Sequence, residues 1–213
     1  MFSFCHLNKF DYLCRLTKRF VMHTIKIRQG KKDDSKDIAK LIMIAMNYDC
    51  CKYFAGKNHT LHDFEIMMTE LVNTEESQYS YKNTIVAMIE SDIVGVCVSY
   101  DGAELHHLRK AFINAAKKHL DGDFSAIDDE TQAGELYVDS LAVKEQFRHN
   151  GIATAMLDAT KEKARKMNIR KVGLLVDKGN PEAEQLYKRV GFLYENDSSW
   201  GGHPMKHLVK IAE

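Results

Sequence analysis

The segment Glu135-Leu-Tyr-Val-Asp-Ser-Leu-Ala-Val143 decides the fold, because its apolar residues change phase in the middle. Side chains of a strand point alternately to its two faces, so a single buried face needs apolar residues at every second position. The apolar residues before and after Asp139-Ser140 fall on opposite parities, and they are Leu136 and Val138, then Leu141 and Val143. Either both faces of the strand are covered, or a bulge near Asp139-Ser140 shifts the phase and leaves backbone groups free to bind an extended ligand.

A loop follows this strand, Arg148-His-Asn-Gly-Ile-Ala-Thr154, and leads directly into a predicted helix. Gly151 lets the backbone approach a ligand closely, and the small Ala153 keeps the next turn clear. The first N–H groups of a helix lack internal partners and its dipole makes that end positive, so a pyrophosphate is the expected guest. Arg148 and His149 add positive charge or hydrogen-bond donors. The alternative interpretation is an ordinary helix start that binds nothing.

A second helix is predicted, with clear start and stop signals, in Asn180-Pro-Glu-Ala-Glu-Gln-Leu-Tyr-Lys-Arg-Val-Gly-Phe192. Asn180 is a natural N-cap, Pro181 suits the first helical position, and Gly191 stands where helices often stop. Tyr187 falls on the apolar face of this helix. Two interpretations remain open for it: an aromatic residue of the core, or a phenol that protonates a departing thiolate.

Together these motifs resemble the GNAT acetyltransferase superfamily, most specifically over residues 135–192. The resemblance is carried by the order Arg148-x-x-Gly151-x-Ala153 and then Asn180…Ala183…Leu186-Tyr187…Gly191-Phe192. It implies an α/β fold with a mixed sheet and a splayed, bulged central strand. It also implies transfer of an acetyl group from acetyl-CoA, the cosubstrate, to a primary amine of a small molecule or peptide, without an acetyl-enzyme. A non-catalytic module that only binds acyl-CoA is the alternative.

The resemblance also implies roles for individual residues. Three backbone positions of the strand would pair with the pantetheine arm, the loop would hold the pyrophosphate, and the cap of the second helix would contact the cofactor. These cofactor-binding residues are Leu141, Ala142, Val143, Arg148, His149, Asn150, Gly151, Ile152, Ala153, Thr154 and Asn180. Tyr187 would be the general acid. Asp139 would be the general base, with Glu135 and Tyr137 as neighbours that could contribute, or else a bulge residue that bonds its own backbone.

The rest of the chain predicts one α/β domain over residues 22–213. Strands are predicted at 24–29, 84–89, 93–100, 135–143, 172–177, 192–195 and 205–211, and helices after Asp33-Asp34 and at 60–72, 105–120, 151–167 and 181–190. In the 151–167 helix the outward positions are assigned to Asp158, Glu162, Lys163, Arg165 and Lys166. We expect acceptor-pocket loops at 46–60, 101–134 and 195–204. The segment 101–134 is interpreted as an insertion whose acidic end, 121–130, is a solvated loop or a lid that attracts a cationic amine.

Composition narrows the class of protein. Thirty Lys plus Arg balance thirty Asp plus Glu, which argues against a nucleic-acid binder. Five cysteines without a C-x-x-C pair favour a reducing, cytoplasmic compartment, and the ten histidines complete no metal site. No apolar run reaches the length needed to cross a membrane. Residues 1–21 are interpreted as a disordered N-terminal extension, with an amphipathic basic helix or a targeting segment as the alternative. A homodimer is a family-level expectation.

Overall fold

The computed structural model of the protein describes residues 24–213, so the predicted N-terminal extension over 1–21 lies outside the described residues. The described strands are Ile25–Gln29 (β1), Thr84–Ile89 (β2), Asp92–Asp101 (β3), Glu135–Val143 (β4), Lys171–Asp177 (β5), Leu193–Trp200 (β6) and His203–Ile211 (β7). The described α-helices are Ser35–Met46 (α1), Tyr48–Ala55 (α2), Leu61–Asn73 (α3), Leu105–Leu120 (α4), Ile152–Lys166 (α5) and Pro181–Arg189 (α6). The predicted α/β fold with a mixed sheet is therefore confirmed.

One seven-stranded sheet runs through the molecule in the order β1-β2-β3-β4-β5-β7-β6. Its neighbouring strands are antiparallel except for β4 and β5, which are parallel. Helix α5 makes the crossover between those two strands, as a parallel connection requires. The parallel pair of β4 and β5 lies near the middle of the sheet. An interruption of its hydrogen bonding therefore leaves backbone groups unpaired in the central part of the sheet.

Helices cover both faces of this sheet. The first face carries α1 to α4, and its core includes the fully buried Phe64, Met67 and Met68 of α3. The second face carries α5 and α6 over a core that includes Leu136, Met156 and Phe192. Each of these buried side chains contributes roughly 1.5–3 kcal/mol, so the two layers hold β4 and β5 in place from both sides.

The phase change in β4 is a β-bulge, as the sequence predicts. Val98 of β3 pairs with Ser140, while the next residue, Ser99, pairs with Val138, so Asp139 is the extra residue. The bulge places the apolar residues before and after it on the same face of the sheet. All four pack in the core beneath α5, and they are Leu136, Val138, Leu141 and Val143. It also turns Asp139 toward the helices of the opposite face.

Two segments predicted as loops contain regular structure, and those predictions are wrong. The 46–60 segment contains α2. Asn47 caps this helix, because its side chain accepts a hydrogen bond of 3.0 Å from the Cys50 backbone N–H. The 195–204 segment is a hairpin between β6 and β7, and its turn is Gly201-Gly202 with φ values of 56° and 78°. A polar strand at the sheet edge carries little apolar alternation, which is why its pattern was not recognised.

Two predicted side-chain orientations also need correction. Asp34 precedes α1 but makes no capping hydrogen bond to that helix. Its carboxylate accepts from the Lys31 backbone N–H at 2.8 Å in the short turn before the helix, and from Arg28 at 2.6 and 2.9 Å. Lys163 of α5 points inward, and its Nζ donates to the Ser99 carbonyl at 2.5 Å and to the Asn83 carbonyl at 3.3 Å. Burial lowers the pKa of Lys163 to about 8. Its long side chain reaches backbone carbonyls where β3 extends past the start of β2.

Candidate active site

The parallel strands β4 and β5 separate along most of their length. They pair only through Glu135–Lys171, Leu136–Val172 and Tyr137–Gly173. Beyond these pairs β4 continues to Val143 with β3 as its partner, and β5 continues to Asp177 with β7 as its partner. The facing edges of the two strands therefore form a notch lined by backbone groups, and the predicted residues Leu141, Ala142 and Val143 lie along it.

A tight turn brings the chain from β4 to the start of α5. His149 and Gly151 both adopt left-handed backbone conformations, with φ values of 63° and 76°. The side chains of this turn brace its own carbonyls: Arg148 Nε donates to Val143 O at 3.2 Å, and Asn150 Nδ2 donates to Arg148 O at 3.0 Å. Since no side chain caps the helix at Gly151, the first N–H groups of α5 are available to an anion.

The residues of this turn differ in how exposed their side chains are, and therefore in which atoms can contact a ligand. Ile152 is buried in the core beneath α5, so its contribution to a ligand is limited to its backbone. Ala153 and Thr154 are half-buried in the first turn of the helix, and His149 and Asn150 are exposed. The predicted cofactor-binding loop thus forms one continuous turn directly after the β4 edge of the notch.

Helix α6 follows β5 on the other side of the notch. Asn180 caps it, with its side-chain oxygen accepting from the Ala183 N–H at 3.1 Å. Tyr187 is half-buried, and its ring packs edge-on against Phe192 at 5.8 Å between centroids. Burial of the phenol, and then the nearby Cys97 thiol, raise the pKa of Tyr187 well above its usual range. The hydroxyl therefore keeps its proton near neutral pH, as a proton donor must.

Asp139, the bulge residue, contacts side chains in its neighbourhood. Its carboxylate accepts from Ser140 Oγ at 2.8 Å and from Gln78 Nε2 at 3.3 Å. Burial, followed by the negative charge of Glu130, raises the pKa of Asp139 to about 7. A half-buried carboxylate with such a pKa is well matched to removing a proton near neutral pH.

Glu130 anchors a polar network that the sequence analysis did not predict. It comes from the acidic stretch, yet its side chain is buried and forms an ion pair with the buried Arg109 of α4. Tyr100 donates to the same carboxylate at 2.8 Å, and Gln78 Nε2 lies 3.4 Å from it. The end of the acidic stretch is therefore part of the interior, which corrects the picture of a fully solvated loop.

A signal for this network exists in the sequence of α4. Arg109 stands four residues after Leu105 and three before Phe112, within the apolar stripe of the helix. An arginine on a buried stripe requires a carboxylate partner, because an unpaired buried charge is very costly. The following acidic stretch is the nearest source of one.

Glu135, named as a neighbour of the base, is committed to other contacts. Its carboxylate lies 2.8 Å from His207 Nε2 and accepts from Thr131 Oγ1 at 2.6 Å. Gly173 of β5 leaves room for this side chain, since a Cβ there would lie 2.0 Å from Glu135 Oε2. Glu135 therefore ties β4 to β7 across β5.

The two predicted catalytic residues act electrostatically on the same neighbours. Burial, and to a smaller extent the charges of Asp139 and Tyr187 among others, raises the pKa of Tyr137, which is the last residue of β4 that pairs with β5. Burial, and to a smaller extent Asp139, also raises the pKa of Cys97. The predicted acid and base thus both act on Tyr137. Cys97 itself is fully buried, as expected for a residue of the core.

The fold and this cleft place the chain among acyltransferases, and comparison with known proteins agrees. Residues 53–192 match the acetyltransferase (GNAT) family, and the chain belongs to that family. An acetyltransferase of Agrobacterium fabrum is 33% identical over 107 residues, which are 50% of this chain and 77% of the relative.

Solved structures show the same fold. A crystal structure described as an acetyltransferase has a TM-score of 0.74 at 26% identity and covers 88% of this chain and 100% of its own. An N-acetyltransferase from Staphylococcus aureus Mu50 has a TM-score of 0.73 at 25% identity, over 87% of this chain and 100% of its own. The predicted GNAT resemblance and fold are therefore confirmed.

Within residues 24–213, no group of three or more His, Cys, Asp or Glu side chains has the arrangement of a metal site. None of the helices described there combines the length and apolarity that crossing a bilayer requires.

Proposed function

We propose that this chain transfers an acetyl group from acetyl-CoA to a primary amine, by direct attack of the amine. The observation that carries the proposal is the notch between β4 and β5, where pairing stops at Tyr137 and Gly173 although both strands continue. Acetyl-CoA supplies an activated acetyl group as a thioester. Its pantetheine arm contains amide groups suited to the open edge of Leu141 to Val143, and its pyrophosphate suits the uncapped turn at Gly151.

The side chains at the divergence point supply the proton transfers. An amine attacks only in its neutral form, so Asp139 accepts the proton that the nitrogen loses. The new bond joins the amine nitrogen to the acetyl carbon, and the bond that breaks joins this carbon to sulfur. Tyr187 then gives its phenolic proton to the departing thiolate. Asp139 later releases its proton to solvent and Tyr187 regains one, which restores the enzyme for the next turnover. Because the amine attacks the thioester directly, no acetylated enzyme residue forms.

The experiment that tests this function combines turnover with cofactor binding. Thiol release from acetyl-CoA is measured across polyamines, aminoglycosides, amino acid amides and peptides, and acetyl-CoA binding is measured by calorimetry. Tyr187→Phe should lower kcat by roughly 100-fold, within the usual range for loss of an acid–base group, while the acetyl-CoA Kd stays the same. Tyr194→Phe, at an exposed tyrosine of β6, is the matched control and should change neither quantity.

The outcomes separate the two functional classes. Binding of acetyl-CoA without turnover on the whole panel would instead support the non-catalytic acyl-CoA-binding module. Unchanged kcat in Tyr187→Phe, with turnover present in both proteins, would remove Tyr187 from the mechanism but leave the transferase activity standing.

A further inference from the structure

A buried hydrogen-bond acceptor without a partner lies beside Asp139. Gln78 is only 4% exposed, and its Nε2 donates to Asp139 at 3.3 Å and lies 3.4 Å from Glu130 Oε1. Its carbonyl oxygen Oε1 is buried and makes no hydrogen bond with any residue of the described range 24–213. Both atoms belong to one small planar amide, so this unused acceptor lies at the same place as the base. Buried acceptors are rarely left unpaired, which points to a donor that arrives with the substrate.

The guanidinium of Arg109, which lies near these carboxylates, already donates hydrogen bonds to four acceptors. Arg109 donates through Nη1 to Ile127 O at 3.2 Å and to Asp129 Oδ1 at 2.9 Å. Through Nη2 it donates to Asp128 O at 2.9 Å and to the Glu130 carboxylate. A fixed guanidinium with these four contacts has little capacity left for a carboxylate on a substrate.

The other groups near Asp139 are neutral or negative. Burial, and then the charge of Glu130, raises the pKa of Asp139. Burial, and then the charge of Asp139, raises the pKa of the partly exposed Cys50 thiol of α2 to about 11. Three buried tyrosines keep their protons, because burial and then the charges of the same two carboxylates raise each pKa well above its usual range; they are Tyr79, Tyr100 and Tyr137. The surroundings therefore suit a group that donates hydrogen bonds and carries positive or no charge.

From this arrangement we infer that the acceptor site admits primary amines whose amino carbon bears no carboxylate, and rejects free α-amino acids. The inference rests on the proposed acetyl transfer and specifies its substrate class. An arriving amino group carries N–H donors for Asp139 and for the unpaired Gln78 oxygen. An α-carboxylate would come close to Asp139 and Glu130 with Arg109 already occupied, and like charges at such distances are strongly unfavourable. Alkylamines, amino acid amides and peptide N-termini meet the requirement.

Matched substrate pairs test this on the unmodified protein. Phenethylamine is compared with phenylalanine, and alaninamide with alanine, at equal concentrations of the unprotonated amine. We expect kcat/KM to be at least about 100-fold higher for the member without the carboxylate. Equal values, or a preference for the amino acid, would overturn the inference while leaving acetyl transfer itself established.

The role of Gln78 is tested with a nearly isosteric variant. Gln78→Met removes the amide and should raise KM for phenethylamine by roughly tenfold, the effect of losing one buried hydrogen bond, without changing the acetyl-CoA Kd. Gln132→Met, at an exposed glutamine, is the control and should leave both values unchanged. An unchanged KM in Gln78→Met would refute the assignment of its carbonyl to the substrate.

A binding measurement separates failure of this inference from failure of the proposed function. Phenethylamine and phenylalanine are titrated by calorimetry into the full chain saturated with CoA. Binding of the amine alone supports the inference even where no turnover is found. Binding of both ligands, or of neither, contradicts it.

Discussion

Replacing Asp139 by asparagine should lower activity and raise stability at the same time. The new amide has almost the volume of the carboxylate, so packing against Gln78 and Ser140 is preserved. It cannot accept a proton, and loss of a general base typically costs about 100- to 10,000-fold in rate. In the wild type, kcat/KM for the unprotonated amine should fall about tenfold per pH unit below about pH 7, because Asp139 is then protonated.

The stability effect follows from the same pKa. Burial and Glu130 raise it from the ordinary 3.8 to about 7, so between these values the native state binds more protons than the unfolded state. Stability therefore decreases as pH rises through this window, and the full penalty is present above pH 7. At about 1.4 kcal/mol per pH unit the ceiling is about 4 kcal/mol. Because Asp139 is only half-buried, solvent screening reduces this to an expected 1–3 kcal/mol, roughly.

Denaturant unfolding at about pH 8 and about pH 4.5 measures this directly, and thiol release measures the activity. Asp139→Asn should be more stable than the wild type at the higher pH, and most of that advantage should vanish at the lower one. Asp92→Asn, at an exposed carboxylate, should show neither effect. A variant that is less stable than the wild type at the higher pH would refute the claim that burial penalises the ionised form of Asp139.

Two further substitutions test the network and the cofactor turn. Arg109→Met leaves Glu130 buried without its cation and should destabilise the fold by about 3–5 kcal/mol, measured by denaturant unfolding. The control Arg189→Met, at an exposed arginine, should leave stability nearly unchanged. A similar small loss of stability in both variants would contradict a buried ion pair. Gly151→Ala places a side chain at φ 76° with nothing within 4 Å, so its cost of about 1–2 kcal/mol is conformational and should weaken acetyl-CoA binding by roughly tenfold. Gly56→Ala, equally open at φ 73°, should lose similar stability but keep its acetyl-CoA Kd, and equal affinities in both variants would show that the turn at Gly151 is not the phosphate site.

The elements of the proposed cofactor side could be predicted from the sequence, because that side is made largely by backbone. A bulge is visible as a phase change, and a helix start is visible as a small residue followed by an amphipathic period. Gly151 and the bulge at Asp139 could therefore be located without coordinates. These signals are local, since each depends on residues within a single element or turn.

The acceptor side was largely invisible for the opposite reason. Gln78 follows α3, Arg109 lies on α4 and Asp139 lies on β4, so only the tertiary packing brings them together. The side-chain contact between Gln78 and Asp139 spans 61 positions of the chain. A lone glutamine carries no periodic pattern, and the charged residues resemble an ordinary solvated surface until burial is known. The inward orientation of Lys163 is equally hidden in the sequence, because a lysine on an amphipathic helix normally faces water.

The acidic stretch before β4 shows how one segment can serve both stability and recognition. Its carboxylates neutralise Arg109, and this pairing makes burial of Glu130 tolerable so close to Asp139. Burial, and then the negative charge of Glu130, raises the pKa of Asp139 to about 7, and Arg109 offsets part of this rise. In the acceptor site that we propose, the pairing of Arg109 with Glu130 also removes the cation that an α-carboxylate would need. The same ion pair therefore bears on both parts of the proposal, the basicity of Asp139 and the charge of the amine.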